Sequence, residues 1–157
     1  MGAKRPHSCK VLTAGLAHRT VPGVKLDSGS NGTSCRYSDH KPPGQSINLV
    51  IFSFRPFPSV AKAHKKWQTE EKARLRRKCK TCPRVYGPIR LGADEGFGVV
   101  AQSDGPDGSP LENTTIIWRK GIFEGRLEVR AHEAAGDAAL PSVEYLFSIL
   151  MKHFPRR

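Results

Sequence analysis

Residues 114–132 read TTIIWRKGIFEGRLEVRAH. Two runs of β-prone residues flank Lys120-Gly121, which is the pattern of two strands joined at a glycine turn. In the second run Phe123, Gly125, Leu127, Val129 and Ala131 alternate with Glu124, Arg126, Glu128, Arg130 and His132. A period of two with the apolar residues in one phase predicts an antiparallel sheet packed on one side and wet on the other. The hairpin thus sets the class of fold: a sheet first, with helices laid upon it.

After the hairpin, Val143, Leu146, Phe147, Leu150 and Phe154 recur at helical spacing and predict a helix from about Ala138 to Phe154, with Pro141 acceptable only in its first turn. Before it, Ser46–Phe54 (SINLVIFSF) is the strongest strand, with Ile47, Leu49 and Ile51 on one side and Val50, Phe52 and Phe54 on the other. Pro56 and Pro58 end that strand, and Ser59 is a suitable N-cap for a helix running to about Lys78. Its apolar stripe reads Val60, Ala63, Trp67 and Leu75, with Glu70 and Arg74 as an i,i+4 ion pair. Trp67 is read as the anchor of this helix on the sheet.

Val85–Leu91 is a weak strand, Phe97–Gln102 a stronger one, and residues 103–110 (SDGPDGSP) form a loop by composition. At the other end, Cys9 to about Ala17 predicts one short helix, and Thr33–Ser38 a short strand followed by the turn His40–Gln45. Residues 1–8 read as a flexible tail and 9–155 as a single domain. The resulting order is α-β-β-α-β-β-β-α: an α+β fold with an antiparallel sheet of about five strands and helices mainly on one face. An apolar fraction of 38%, with 15 Gly and 12 Pro, fits a compact domain with loose loops. No apolar run reaches the roughly 18 residues of a membrane span.

The net charge is +12. Residues 60–84 hold ten Lys/Arg against Glu70 and Glu71, so eight of the twelve excess charges lie in one segment. This basic helix, through Lys62, Lys65, Lys66, Lys72, Arg74, Arg76, Arg77 and Lys78, is the expected contact surface for an anionic partner: an envelope polymer, a lipid surface or an acidic protein. Nucleic acid is the competing partner, but only Trp67 interleaves with the cations and no base-reading motif is visible.

Four cysteines allow three pairings. Cys79 and Cys82 are close enough to pair locally, which leaves Cys9 with Cys35. A cysteine at a helix start followed by one on the next strand is the layout of a staple between helix and sheet. By chain entropy the longer loop contributes roughly 3–4 kcal/mol and the short one about 2 kcal/mol. Zinc held by all four sulfurs, or free thiols, stay open as alternatives. A redox role for Cys79-Lys-Thr-Cys82 is opposed by its place after a helix C-terminus, where the dipole disfavours thiolate.

Asp94-Glu95 read as solvated acids in a turn, and His132-Glu133 as an exposed pair. No nucleophile elbow, phosphate loop, dinucleotide fingerprint or zinc-protease spacing is present in the sequence. The expectation is a non-enzymatic protein without cofactor or metal. Met1–Ser8 carries neither an apolar leader core nor a lipid-attachment cysteine after an apolar segment, so export is not legible at the N-terminus.

Three segments together carry a resemblance. Ser8-Cys-Lys-Val-Leu-Thr-Ala-Gly-Leu, then Thr33-Ser-Cys-Arg-Tyr-Ser, then Leu91-Gly-Ala-Asp-Glu-Gly-Phe resemble the small exported actinobacterial lipoproteins of unknown function. The likeness spans about Ser8 to Phe154. It implies an extracytoplasmic domain tethered by an N-terminal lipid, with Cys9 and Cys35 disulfide-bonded. The basic helix and the Cys79/Cys82 pair are not part of that pattern.

Overall fold

The computed structural model describes residues 7–39, 48–104, 108–132 and 135–155. Seven antiparallel strands form one sheet. In chain order they are β1 (Lys25–Leu26), β2 (Ser34–Ser38), β3 (Leu49–Pro56), β4 (Arg84–Tyr86), β5 (Glu95–Asp104), β6 (Pro110–Lys120) and β7 (Phe123–His132). Their spatial order is β1-β2-β3-β7-β6-β5-β4, so β7 closes the gap between β3 and β6. Helices α1 (Ser8–Val11), α2 (Ala14–Thr20) and α4 (Leu140–His153) belong to the core on one face, and α3 (Val60–Arg76) lies on the other.

The mixed α+β architecture and the antiparallel sheet agree with the sequence, but the strand count is seven, not five. Both further strands are edges: β1, two residues long, is new, and β4, three residues long, is the start of the weak strand read at Val85–Leu91, which ends at Tyr86 instead. Runs that short carry no readable period. The loop at 103–110 is narrower than expected, because Ser103 pairs with Leu111 and Asp104 with Pro110. The expected opening helix is two. Leu12 is extended, its carbonyl accepts from Tyr37 Oη at 3.4 Å, and Thr13 starts α2 by accepting from Leu16 N at 3.4 Å. Ser8 is fully buried, with its amide donating to Gly32 O, so the folded chain includes the last residue assigned to the tail; residues 1–6, like the turn His40–Gln45 and Ile47, lie outside the described residues.

Both disulfides are formed, Cys9–Cys35 and Cys79–Cys82, and no cysteine is left over for a zinc site. Cys9–Cys35 ties α1 to β2, and Cys35 sits opposite Phe52 in the main core. In that core Phe52 stacks on Trp118 at 5.7 Å with 7° between the rings, and Phe154 stands edge-on to Trp118, Phe54 and Phe123. The helical stripe Val143, Leu146, Phe147, Leu150 of α4, continued by Phe154, covers these rings. Lys120, next to the hairpin turn, donates to Met151 O at 2.7 Å and Phe154 O at 2.8 Å, placing an ammonium at the C-terminal carbonyls of α4. Gly121, φ 58°, takes the first position of that two-residue turn, where a side chain would be strained.

Gly125 lies between Phe54 and Trp118 across three strands. A Cβ there would overlap the Trp118 indole and the Ser53 carbonyl, whereas one at Gly15 in α2 would meet nothing within 4 Å. Gly125→Ala should therefore lower stability by about 2–3 kcal/mol through overpacking. Gly15→Ala should be neutral to about 1 kcal/mol more stable. Equilibrium urea unfolding of both variants against the parent checks the pair.

Candidate functional site

Helix α3 starts on Ser59, whose hydroxyl accepts from Lys62 N at 3.2 Å. Trp67 anchors it: the ring is buried, meets Phe97 edge-on and donates from Nε1 to Ile117 O at 3.0 Å. The apolar stripe is shorter than the sequence reading had it. Ala63 and Trp67 are buried, but Val60 and Leu75 are 48% and 53% exposed, because the helix rests on the sheet by its middle turns only.

The outer side is cationic. Lys62, Lys65, Thr69, Lys72 and Arg76 follow steps of i, i+3, i+7, i+10 and i+14, which at about 100° per residue keeps them within an arc of about 80°. All five are exposed, as are Arg77 and Lys78 beyond the helix end. Two of the expected contact residues turn inward. Lys66 Nζ pairs with Glu70 at 3.0 Å, and half-buried Arg74 lines a cleft of 390 Å³ with Arg126, Glu128, Asn113 and Thr115. Glu70 does not pair with Arg74: it takes Lys66 and, at 3.3 Å, Arg126 of β7. Of the two acids that the helix carries at its centre, Glu70 is thus spent on the sheet side, and Glu71 is half-buried away from the outer stripe.

Beneath α3 the strand register builds a feature that sequence spacing could not show. Arg55, Glu124, Arg119 and Glu95 are direct cross-strand neighbours on β3, β7, β6 and β5, a row of alternating charge. Arg119 Nε donates to Glu95 Oε2 at 2.6 Å, and its Nη1 to Gly121 O at 2.9 Å and Asp94 Oδ2 at 3.4 Å. Asp94 also accepts from Gly121 N at 2.7 Å. His64 of α3 meets Glu95 through Nδ1 at 2.6 Å. Asp94 and Glu95 are therefore not solvated turn acids. Both converge on Arg119, because the turn that holds them sits against the β6–β7 hairpin, and the histidine absent from their neighbourhood in sequence arrives from the helix.

Arg119 and Glu124 are themselves the residues flanking the Lys120–Phe123 turn pair, so their opposition follows from the hairpin alone. The partnership with Glu95 and His64 does not. The wet face expected of β7 is only partly wet: Glu124 is 6% exposed, and α3 shelters that side. Likewise His132 is half-buried, with Nδ1 bonded to Ser109 Oγ at 2.7 Å; its neighbour Glu133 lies outside the described residues.

These groups clamp the helix. His64–Glu95, Trp67–Ile117 and Glu70–Arg126 fix it to the sheet along one side, while the acids involved neutralise inward-facing cations. Among the described residues no three His, Cys, Asp or Glu side chains come together as a metal site. No known protein family, curated protein or solved structure matches the chain.

Burial pushes the Glu124 carboxyl above its ordinary value, with Arg126 and Arg55 opposing. One of its oxygens, Oε1, is buried without a partner, and Arg55 stands 3.7 Å from the other. The hydrogen bond from Lys66 pulls Glu70 down, reinforced by Arg126 and Arg74 and opposed by burial. A raised carboxyl favours the folded chain below its unfolded value and disfavours it as pH climbs through the folded one; a lowered carboxyl does the reverse. Glu124→Gln should therefore match or exceed the parent in stability at neutral pH and lose that advantage in acid. Glu70→Gln should be less stable at neutral pH and converge on the parent as pH falls. Urea midpoints collected from neutral to acid pH separate the two.

Proposed function

We propose that this chain is a non-enzymatic, extracytoplasmic binding module of the cell envelope that docks through the outer stripe of α3 onto an anionic polymer. The observation that carries the reading is the separation of sign on the helix: the Lys62–Arg76 stripe outward and exposed, Glu70 inward and paired, and Glu71 half-buried off the stripe. A sign-pure surface attracts a polyanion, and each contact releases condensed counterions, giving affinity without a shaped pocket.

One feature supports the extracytoplasmic part: all four cysteines are in disulfides, which persist in oxidising compartments. A polymer is favoured over a lipid surface because the stripe carries no apolar residue to insert, its members being Lys62, Lys65, Thr69, Lys72 and Arg76. It is favoured over nucleic acid because the stripe offers no aromatic ring for a base.

Binding of inorganic polyphosphate and of a polyuronate, titrated over a range of salt, tests this. Affinity should fall steeply and linearly on a log–log scale, by about tenfold or more between low and physiological salt. Charge reversal at Lys62, Lys65, Lys72 and Arg76 together should abolish it. The same reversal at Lys10, Arg19, Lys25 and Lys152, exposed on other elements, should leave most of it. Salt-insensitive binding, or equal loss in both variants, contradicts the reading. Markedly tighter binding to DNA than to either polymer would move the partner to nucleic acid.

A further inference from the structure

The two disulfides stand in opposite surroundings. Cys35 is fully buried in the main core and Cys9 half-buried against it. Cys79, by contrast, is exposed and Cys82 half-buried, on the irregular segment between α3 and β4. Cys82 N donates to Cys79 O at 3.3 Å, closing a tight turn, and Thr81 Oγ1 lies 3.8 Å from Cys79 Sγ.

The segment that carries that turn holds charge of one sign, with Glu128 of β7 the acid across the cleft that Pro83 borders. Arg76, Arg77, Lys78, Lys80 and Arg84 are all exposed, and residues 72–93 contain no Asp or Glu. Such a field acts on thiol chemistry twice. It draws in an attacking thiolate that carries further negative charge, and it stabilises the thiolate that leaves, so exchange is accelerated at both ends. The opposing dipole of α3 is weak here, because Cys79 lies three residues past Arg76 and the dipole effect fades within the last turn.

We propose that Cys79–Cys82 is a thiol–disulfide exchange site selective for anionic thiols. In the first step an external thiolate attacks Cys79 Sγ. The new S–S bond forms a mixed disulfide, the Cys79–Cys82 bond breaks, and its electron pair leaves on Cys82 as thiolate. A second external thiolate then attacks the external sulfur of the mixed disulfide and expels the Cys79 thiolate. Two external thiols are oxidised to one disulfide, and the protein gains a dithiol at Cys79 and Cys82. Cys9–Cys35 opens more slowly, since Cys35 is shielded by the core and Cys9 is half-buried against it, whereas Cys79 is exposed.

The test uses the native chain and three probes: 2-mercaptoethanesulfonate, 2-mercaptoethanol and cysteamine, at matched thiolate concentrations. Acid quenching, alkylation and peptide mass spectrometry report each cysteine separately. Cys79 and Cys82 should open at least about tenfold faster than Cys9 and Cys35. The rate ratio of the anionic to the cationic probe should shrink toward a common limit as salt screens the field. In K78E/K80E the same ratio should fall several-fold, a comparison in which the intrinsic reactivity of each thiol cancels. Equal opening of the two disulfides overturns the proposal, and so does a probe ratio that K78E/K80E leaves unchanged. Because thiols are read and not polymer binding, the outcome is independent of the docking role assigned to α3.

Discussion

The indole of Trp118 lies flat against Phe52 through the space that Gly125 leaves on the strand between them, and the main core is arranged around that contact. A side chain on β7 at this point would hold the two rings apart. With it absent, β3, β7 and β6 bring Phe52, Phe54, Phe123 and Trp118 into one aromatic layer, and Phe154 closes it from the end of α4. The helix that delivers Phe154 is held in turn by Lys120 from the turn that joins β6 to β7. Packing, register and helix placement on this face are therefore one arrangement, with the Cys9–Cys35 link adding α1 at its edge.

The opposite face is organised by charge. A surface helix with ten basic residues in and around it repels itself, and carboxylates of both helix and sheet are placed where α3 turns inward. Glu70 joins Lys66 to Arg126, and Glu95 joins His64 to Arg119. Charges close to the sheet are thereby compensated in a partly desolvated setting, where an unpaired charge would be costly. Those on the outer stripe stay in water, where leaving them unpaired costs little. Glu124 is the exception in the row: its burial exceeds the compensation that Arg55 and Arg126 provide, and its carboxyl responds by holding its proton more tightly.

This division gives the surface its character. Neutralising the inner cations lets α3 lie on the sheet without diluting the outer ones, so the outer stripe of the helix presents a field of a single sign. The same field runs past the helix end over the Cys79–Cys82 turn, so the two roles proposed for this face, polyanion docking and thiol exchange, rest on one physical source. They differ in reach: the first is spread over four turns of helix, the second acts on two sulfur atoms.

Much of this was legible in the sequence. The 123–132 alternation, the stripe of α4, Ser59 as a cap, Trp67 as an anchor and both cysteine pairings read correctly, because each rests on local periodicity, capping chemistry or loop length. The edge strand β1 did not, being too short for a period, β4 did only in part, as the start of a weak strand read on to Leu91, and the break at Leu12–Thr13 did not, where Leu12 O turns toward Tyr37 of a strand more than twenty residues on. Local pattern sufficed for an antiparallel sheet that carries helices, for the concentration of charge on α3, and for the apolar phase of β7. Which charges remain available depends on the assembled fold, as the burial of Glu124 under α3 shows. Register of β3 against β7 and of β5 against β6 is a property of the folded sheet, and it brings Arg55 and Glu95 alongside the hairpin's own Glu124 and Arg119, while α3 packing brings His64 to Glu95 and Glu70 to Arg126 from elements far apart in the chain.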